Sequence, residues 1–380
     1  MIRKDALLAI AGAAAWPAFA TAGNAPPTRA TALRSAEKRP DSLAAAAARL
    51  GILFGSAANP AVLKGDPAYA AAVAAECSLL VPEGVLKPAY TRADPNGFDF
   101  TDADRLAVFA AAHAMSLRGH TLVWYQSIPA WVPSALIAPA DVRAEFLREV
   151  TEPVRHFRGR MDSWDVVNEV INVPDAQPGG LRKSFWLEKL GPDYIAEAFV
   201  AARAADPGAL LVINEYGIEA DLPAHQAKRD ALLGLLRALR RDNVPVGAVG
   251  IQAHLVAGAP FDPAVFDRFL AAIHDLGLQV LVTELDVTDR TVVARNATRD
   301  SIVADTIAAF LAVALRYPVT TVAAWGLSDR HSWLGGAGWG RRPDGLQPRG
   351  TLLDADLKRK AAYRAVRAAF EQARGTARDS

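Results

Sequence analysis

Apolar, β-branched runs alternate along this chain with segments whose apolar residues recur at helical spacing. Strands that are apolar throughout are typical of parallel sheets covered by helices on both faces. The spacing therefore predicts a repeated strand–helix order. The eight predicted strands are 50–57, 77–83, 116–124, 161–169, 210–216, 248–255, 279–287 and 321–329. The clearest predicted helices are 102–115, 140–157, 194–205, 224–241, 263–276, 300–317 and a final one over about 358–373.

Two architectures place such strands between helices: a closed barrel and an open doubly wound sheet. The open sheet is expected to carry a glycine-rich phosphate-binding turn after its first strand, and the sequence GSAA at 55–58 does not match that turn. Eight strand–helix repeats favour the barrel. We therefore predict an α/β fold, a (β/α)8 TIM barrel formed as a single domain over 42–375.

The first residues are typical of a secretory signal peptide. A positively charged start precedes a short apolar run at 6–15, and the sequence AFA at 18–20 matches the small-residue pattern of a cleavage site. We predict a signal peptide over 1–20 and a flexible leader over 21–41. The mature protein is then expected to be secreted or periplasmic. The alternative is an apolar N-terminal helix of the mature domain.

Charge and composition exclude several classes of protein. Lys and Arg total 42 against 41 Asp and Glu, so the chain lacks the basic surplus of a nucleic-acid-binding surface. No CxxC, HExxH, EF-hand or P-loop pattern is present, so we expect neither a metal nor a cofactor.

The single cysteine, Cys77, lies in an apolar run and is predicted to be buried and inert. We further expect a monomer with no nucleic-acid partner and, in its mature form, no membrane partner.

Polar and aromatic residues gather where the predicted strands end. In a (β/α)8 barrel the carboxyl ends of the strands hold the functional residues. In this sequence the opposite ends of the predicted strands lack such a concentration of polar and aromatic residues. The sequence therefore predicts a site at this rim. The residues concerned are Glu83, Trp124, Tyr125, Gln126, Asn168, Glu169, Asn214, Glu215, Tyr216, Gln252, His254, Glu284, Asp286, Trp325 and Asp329.

Two of these strand ends carry the glutamates Glu169 and Glu284. Paired carboxylates that face one cleft are the minimum apparatus for cutting a glycosidic bond. On the neighbouring strand, His254 is placed to lie between Glu284 and Asp286, where it would keep Glu284 ionised and oriented as a nucleophile requires. His254 taken alone would more simply be a core histidine, but two carboxylates on the next strand favour the catalytic arrangement.

The residues around Glu169 suit a general acid that acts on sugars. Trp164 and Trp325 are predicted to give Glu169 an apolar environment. The side-chain amide of Asn168 can donate to a sugar hydroxyl. Flat aromatic faces stack on sugars, so the tryptophans near the rim, Trp124 among them, fit a saccharide groove.

Seven motifs then follow one another in a recognisable order. They are GILFGSA at 51–57, FDFTDAD at 98–104, RGHTLVW at 118–124, WDVVNE at 164–169, GIQAHL at 250–255, TELD at 283–286 and the stretch from WG at 325–326 to SW at 332–333. From about residue 43 to residue 370 the chain resembles glycoside hydrolase family 10, the endo-β-1,4-xylanases. The resemblance implies that the barrel is the catalytic domain of a secreted retaining endo-1,4-β-xylanase, with xylan or xylo-oligosaccharides as its substrate.

The resemblance also assigns roles to the rim residues. It implies that Glu169 is the acid/base and Glu284 the nucleophile, with their carboxyl groups ~5–5.5 Å apart. Asn168 would bind the sugar 2-hydroxyl, and Gln252 and His254 would lie by the nucleophile, with Asp286 as a further supporting residue. The residues expected to bind substrate are Glu83, Lys87, Trp124, Tyr125, Trp325 and Trp333.

Three segments depart from the pattern of that family. The segment at 82–88 has Gly84 and Pro88 where the family has asparagine and tryptophan, Tyr125 replaces a sugar-binding histidine, and NEYG at 214–217 replaces NDYN. These changes alter the floor of the groove around the bound sugar. They keep open a related retaining β-glycanase or xylo-oligosaccharide hydrolase with altered subsite preference. A saccharide-binding protein that has lost activity is a further alternative, and the intact Glu169, Glu284, His254 and Asp286 count against it.

Overall fold

The computed structural model describes residues 28–37, 39–135, 138–336 and 338–376, and the strands within them form a closed parallel barrel. The strands are β1 (Leu53–Ala58), β2 (Leu79–Pro82), β3 (Ser116–Gly119), β4 (Val123–Trp124), β5 (Ser163–Asn168), β6 (Leu210–Glu215), β7 (Ala248–Ile251), β8 (His254–Val256), β9 (Gln279–Thr288) and β10 (Val319–Ala324). The barrel closes because β10 pairs in parallel with both β9 and β1. The predicted (β/α)8 fold is confirmed.

Helices cover the outside of this barrel. In the described part of the chain they are α1 (Arg29–Glu37), α2 (Leu43–Ala48), α3 (Pro60–Gly65), α4 (Pro67–Glu76), α5 (Pro88–Thr91), α6 (Thr101–Ala112), α7 (Val132–Ala135), α8 (Pro139–His156), α9 (Phe185–Leu190), α10 (Tyr194–Ala205), α11 (Pro223–Arg241), α12 (Pro263–Asp275), α13 (Asn296–Ala314) and α14 (Ala361–Thr376), with 3-10 turns at Val173–Asp175, Pro178–Gly180, Asp329–His331 and Trp333–Gly335. Several begin with proline, which suits the first helical turn because the N–H there has no partner within the helix. Among the described helices, none has the length and apolar character needed to cross a bilayer.

Two of the eight predicted strands are interrupted near the rim. Residues 120–122 separate β3 from β4, and Gln252 and Ala253 separate β7 from β8. Ala253 has a left-handed φ of 57°. After each interruption the chain rejoins the sheet, since β4 pairs with β5 and β8 pairs with β9. Each break places a polar side chain, His120 or Gln252, at the end of the barrel where the predicted site lies.

Helix α1 differs from the flexible leader predicted over 21–41. Its Ala32 is buried against Leu53 and Leu79, the first residues of β1 and β2. Arg29 pairs with Asp162, just before β5, at 3.2 Å. The helix forms because small apolar residues on one side fit over the amino-terminal ends of the strands, a contact that composition alone did not indicate. The predicted signal peptide lies outside the described residues.

The core fills the space between the strands and the helices. Trp164, on β5, lies across Gly119 and packs against Phe157 at the end of α8. A Cβ at Gly119 would lie 2.1 Å from the Trp164 ring, so this packing requires glycine on β3. Cys77 is buried as predicted, and burial raises the pKa of its thiol.

Candidate active site

Glu169 and Glu284 reach the rim in different ways. Glu169 directly follows β5 and has a left-handed φ of 59°, which costs a non-glycine residue about 1–2 kcal/mol. Its N–H donates to the carbonyl oxygen of Asn214 at 2.9 Å, so the strained residue stays in register with β6. Glu284 lies within β9 and is 4% exposed.

Three side-chain amides connect the two carboxylates. Asn214 Nδ2 donates to Glu284 Oε1 at 2.7 Å and to Asn168 Oδ1 at 2.8 Å. Asn168 Nδ2 donates to Glu169 Oε1 at 3.2 Å, and Gln252 Nε2 donates to the same oxygen at 3.2 Å. The two carboxylates are therefore parts of one hydrogen-bonded network at one end of the barrel.

The surroundings of Glu284 favour its anionic form. Burial by itself raises the pKa of Glu284, but interaction with His120, the hydrogen bond from His254 and the charge of Lys87 outweigh it and lower the pKa to about 2. Near neutral pH this carboxylate is therefore ionised. An ionised carboxylate of this kind is a competent nucleophile.

His254 lies between two carboxylates, as the sequence predicted. Its Nδ1 donates to Asp286 Oδ1 at 2.8 Å and its Nε2 donates to Glu284 Oε2 at 3.1 Å. Burial lowers the pKa of His254, but the charge of Asp286 and the hydrogen bonds to both carboxylates outweigh it and raise the pKa to about 10. His254 is therefore an imidazolium that bridges them. The indole N–H of Trp333 donates to the other Asp286 oxygen, which fixes that carboxylate in turn.

His120 is a second imidazole beside Glu284 and was not among the predicted site residues. Its Nδ1 lies 2.9 Å from Asp165 Oδ2 and 3.9 Å from Glu284 Oε1. Together, His120, Asp165 and Glu284 lie close enough to hold a cation. However, the guanidinium of Arg118 pairs with both Asp165 oxygens, so that carboxylate already has a buried counter-charge.

Lys87 lies on the aromatic side of the same cleft. Its Nζ is 4.5 Å from the centroid of the Trp124 ring and 5.8 Å from that of Trp325. Burial lowers the pKa of Lys87, and the carboxylates of Glu284 and Glu83, with Glu169 beyond them, oppose that shift. Burial likewise raises the pKa of Glu83, with Lys87 opposing it. Glu83 and Lys87 thus provide charged groups next to the rings of Trp124 and Trp325. Polar groups among aromatic rings suit a sugar-binding groove.

Tyr125, which stands in place of the family's histidine, packs on an arginine. The Arg182 guanidinium carbon lies 4.2 Å from the centroid of the Tyr125 ring. Arg182 also donates to the hydroxyl oxygen of Tyr216 at 3.0 Å and from Nε to the carbonyl oxygen of Glu169 at 2.6 Å. The replacement therefore places an aromatic ring over a cation that contacts the backbone of Glu169.

The apolar surroundings predicted for Glu169 are only partly present. Trp164 packs between β5 and the helix layer, against Phe157, and so does not line the cleft. Trp325 does lie in the cleft, with its ring centroid 5.0 Å from that of His120. That tryptophan is thus closer to the partners of Glu284 than the sequence suggested.

The structure brings the predicted carboxylates and amides together, gives the predicted rim residue Asn214 a direct contact with Glu284, and adds His120 and Arg182. Asp329, predicted at the same rim, instead pairs with Lys360 and accepts from Thr351. Asn214, His120 and Arg182 all contact the carboxylates or their backbone. The signals for Asn214 and His120 were present, since Asn214 ends a predicted strand and His120 lies in the motif RGHTLVW. Arg182 lies in a loop outside every predicted strand, so sequence periodicity gave no signal for it.

The fold and the site together define a class of enzyme. A buried, ionised glutamate faces the same cleft as a second glutamate that is held by neutral amides, at the carboxyl end of a (β/α)8 barrel. This is the arrangement of a glycoside hydrolase. A family model described as glycosyl hydrolase family 10 matches residues 42–369. The chain belongs to glycosyl hydrolase family 10.

Known relatives and solved structures resemble the chain over most of its length. Exoglucanase XynX of Acetivibrio thermocellus is 32% identical over 311 residues, which are 78% of this chain but only 27% of that protein. Endo-1,4-beta-xylanase 5 of Pyricularia oryzae is 30% identical over 304 residues, 80% of this chain and 71% of that one. The crystal structure of xylanase 10B from Thermotoga petrophila RKU-1 in complex with xylobiose has a TM-score of 0.80 at 29% identity, and the match covers 88% of this chain and 98% of the other.

Proposed function

We propose that this protein is a secreted retaining endo-1,4-β-xylanase that cuts internal bonds of xylan. Glu284 is the nucleophile and Glu169 is the acid/base. The observation that carries the proposal is the arrangement around Glu284, where the charge of His120, the hydrogen bond from the Asp286-bound His254 and the charge of Lys87 outweigh burial and lower the pKa of Glu284 to about 2. The xylanase named among the relatives and the xylobiose bound in a similar structure support xylan as the substrate.

The reaction proceeds in two displacements. In the first, Glu284 attacks the anomeric carbon while Glu169 protonates the departing glycosidic oxygen, and a covalent glycosyl-enzyme forms. In the second, Glu169 accepts a proton from a water molecule as that water attacks the anomeric carbon, and Glu284 is released. Asn168, whose amide also contacts Glu169, binds the sugar 2-hydroxyl and stabilises both transition states.

The remaining rim residues bind the sugars on either side of the scissile bond. Glu83 and Lys87 supply hydrogen bonds, and Trp325 and Trp333 supply flat surfaces on the glycone side. Trp124 and Tyr125 complete the groove next to the acid/base.

Export and assembly complete the proposal. The positively charged start, the apolar run and the AFA sequence before residue 21 support removal of residues 1–20 as a signal peptide. Mass spectrometry of the protein recovered from the periplasm or medium is expected to show a chain that begins at residue 21. Light scattering on the purified chain is expected to give the mass of a monomer.

Proton NMR of xylan digestion tests the mechanism and the substrate together. A retaining enzyme releases the β-anomer first, and the α-anomer appears later by mutarotation. Early β-anomer from internal cuts supports the proposal. An early α-anomer contradicts the double displacement, and no new anomeric signal contradicts xylan as the substrate.

A second candidate function is a retaining hydrolase of another β-glycan or of short xylo-oligosaccharides. Two observations favour it: the altered groove residues Gly84, Pro88 and Tyr125, and a relative named as an exoglucanase. Rates on long xylan, on xylotriose and on a β-1,4-glucan separate the two candidates. Faster hydrolysis of xylotriose or glucan than of xylan would favour the second.

A further inference from the structure

Residues 169–171 leave β5 in an unusual backbone conformation that begins with the left-handed Glu169, φ 59°. A non-glycine residue keeps such a conformation only when its surroundings determine it. The direction in which the Glu169 side chain leaves the backbone therefore depends on what holds these three residues.

One residue, Arg182, binds all three consecutive carbonyl groups. Its Nε donates to the oxygen of Glu169 at 2.6 Å, its backbone N–H to that of Val170 at 2.7 Å, and its Nη2 to that of Ile171 at 3.5 Å. The first and third of these bonds come from Nε and Nη2, which lie on the same edge of one planar guanidinium. Because the guanidinium is planar, the Glu169 and Ile171 carbonyls are held in a fixed mutual orientation.

The guanidinium is itself held in place. Arg182 is 7% exposed, lies under the Tyr125 ring at 4.2 Å and donates to the Tyr216 hydroxyl at 3.0 Å. On the other side of the segment, Glu215 Oε1 accepts from the N–H of Ile171 at 2.8 Å. Residues 169–171 are therefore held by Arg182 through their carbonyl groups and by Glu215 through the N–H of Ile171.

We propose that Arg182 is a positioning residue that orients Glu169 for protonation of the leaving group, and that Tyr125 and Tyr216 hold Arg182 in that position. The inference rests on the proposed function, in which Glu169 is the acid. Arg182 acts through the backbone of Glu169 and does not itself contact the reacting atoms. Its loss therefore impairs proton delivery more than it impairs attack by Glu284.

Substrates with different leaving groups separate these two effects. Phenyl β-xylobioside has a leaving group that needs protonation, and 2,4-dinitrophenyl β-xylobioside has one that leaves without it. Arg182→Lys keeps the positive charge but cannot donate to two carbonyls in a plane. We expect kcat/KM on the phenyl substrate to fall roughly tenfold to a hundredfold, since a small displacement of a catalytic group has that effect. On the dinitrophenyl substrate we expect a change of less than about twofold.

Arg229→Lys is the matched control. Arg229 is also buried, at 1% exposed, and donates to two backbone carbonyls, those of Ile218 and Ala220, in the next loop of the barrel. Arg229→Lys should leave the ratio of the two rates unchanged. Thermal unfolding of both variants shows whether each one folds.

Tyr216→Phe provides a second test if Arg182→Lys does not fold. It removes one acceptor of the guanidinium and keeps the ring, so the same selective loss is expected at roughly twofold to fivefold. Equal losses on both substrates, or no loss on either, would overturn the positioning role. A parent enzyme that hydrolyses neither substrate would overturn the proposed function and this inference with it, whereas an active parent with equal losses overturns only the inference.

Discussion

The two glutamates of the site are held by different physical means. Glu284 lies within a strand, buried, and the neighbouring His120, His254 and Lys87 together lower its pKa to about 2. Glu169 lies just past a strand in a left-handed conformation, and its carboxylate receives hydrogen bonds from the amides of Asn168 and Gln252. The protein thus controls the charge of one carboxylate and the position of the other. A nucleophile has to stay ionised, whereas an acid/base has to change protonation state without moving.

The largest effect is expected from removing the carboxylate of Glu284. Glu284→Ala should lower kcat on xylan by at least ~10³-fold because it removes the proposed nucleophile. Circular dichroism should show the fold retained. Glu188→Ala, at an exposed glutamate on α9, is the control and should have parental activity. Equal activity of Glu284→Ala and the parent would rule out the nucleophile assignment.

Removing the carboxylate of Glu169 should have a smaller effect that depends on the leaving group of the substrate. Glu169→Ala is expected to slow xylan hydrolysis by roughly 10²–10⁴-fold, the usual contribution of general acid catalysis. On a dinitrophenyl glycoside the first displacement should proceed at nearly the parental rate, visible as a burst of dinitrophenol. Without a burst, Glu169 would not be the acid.

The pKa of Glu284 can be changed without substituting either glutamate. Asp286→Asn removes the largest favourable influence on His254, whose pKa of about 10 should then fall. A less cationic His254 lowers the pKa of Glu284 less strongly, so that pKa should rise from about 2. The acidic limb of the kcat/KM profile should therefore move to higher pH by roughly one unit or more. An unchanged acidic limb would show that Asp286 does not act through His254.

The same arrangement predicts how stability depends on pH. The pKa of His254 in the folded protein, about 10, lies above its ordinary 6.5, so its stabilising contribution is complete below pH 6.5 and is lost as the pH rises toward 10. The pKa of Glu284, about 2, lies below its ordinary 4.5, so its contribution is complete above pH 4.5 and is lost as the pH falls toward 2. The difference in Tm between the parent and His254→Asn should be largest between these limits, pH 4.5 and 6.5. A difference that stays constant from acid to alkaline pH would contradict this linkage.

The smallest effect is expected at the residue that departs from the family. Tyr125→His restores the family's side chain but removes the ring that covers Arg182. KM for xylotriose should change by less than about tenfold, the size of one modest contact. Tyr90→His, at a tyrosine that is 65% exposed, serves as the control. A change of the same size in both variants would contradict a role of Tyr125 in binding substrate in the groove.

The difference between the two glutamates also explains what the sequence could predict. His254, Glu284 and Asp286 lie on neighbouring strands, where side chains two residues apart share a face, so their contacts followed from periodicity. The contacts of Glu169 depend on residues that leave the sheet. Arg182 and the left-handed turn at Glu169 lie in an irregular loop, and nothing in the spacing of apolar residues encodes its course.

The barrel itself was predictable for the same reason, and its two interruptions were not. Long apolar runs predicted eight strands, but the breaks after β3 and β7 depend on local backbone conformations such as the left-handed Ala253. Those breaks determine where His120 and Gln252 lie. Asn214 was visible at a strand end, yet its place between two carboxylates became clear only from the register of β5 and β6.

Helix α1 has a practical consequence for anyone preparing this enzyme. The family match begins at residue 42, so α1 lies before it. A recombinant chain trimmed to the family boundary would lose Ala32 from its place over Leu53 and Leu79, and Asp162 would lose its partner Arg29. The first residues of β1 and β2 would then be exposed to water, at the end of the barrel opposite the active site. The lower boundary for a stable recombinant protein is therefore set by the contacts of residue 29, well before the family match begins.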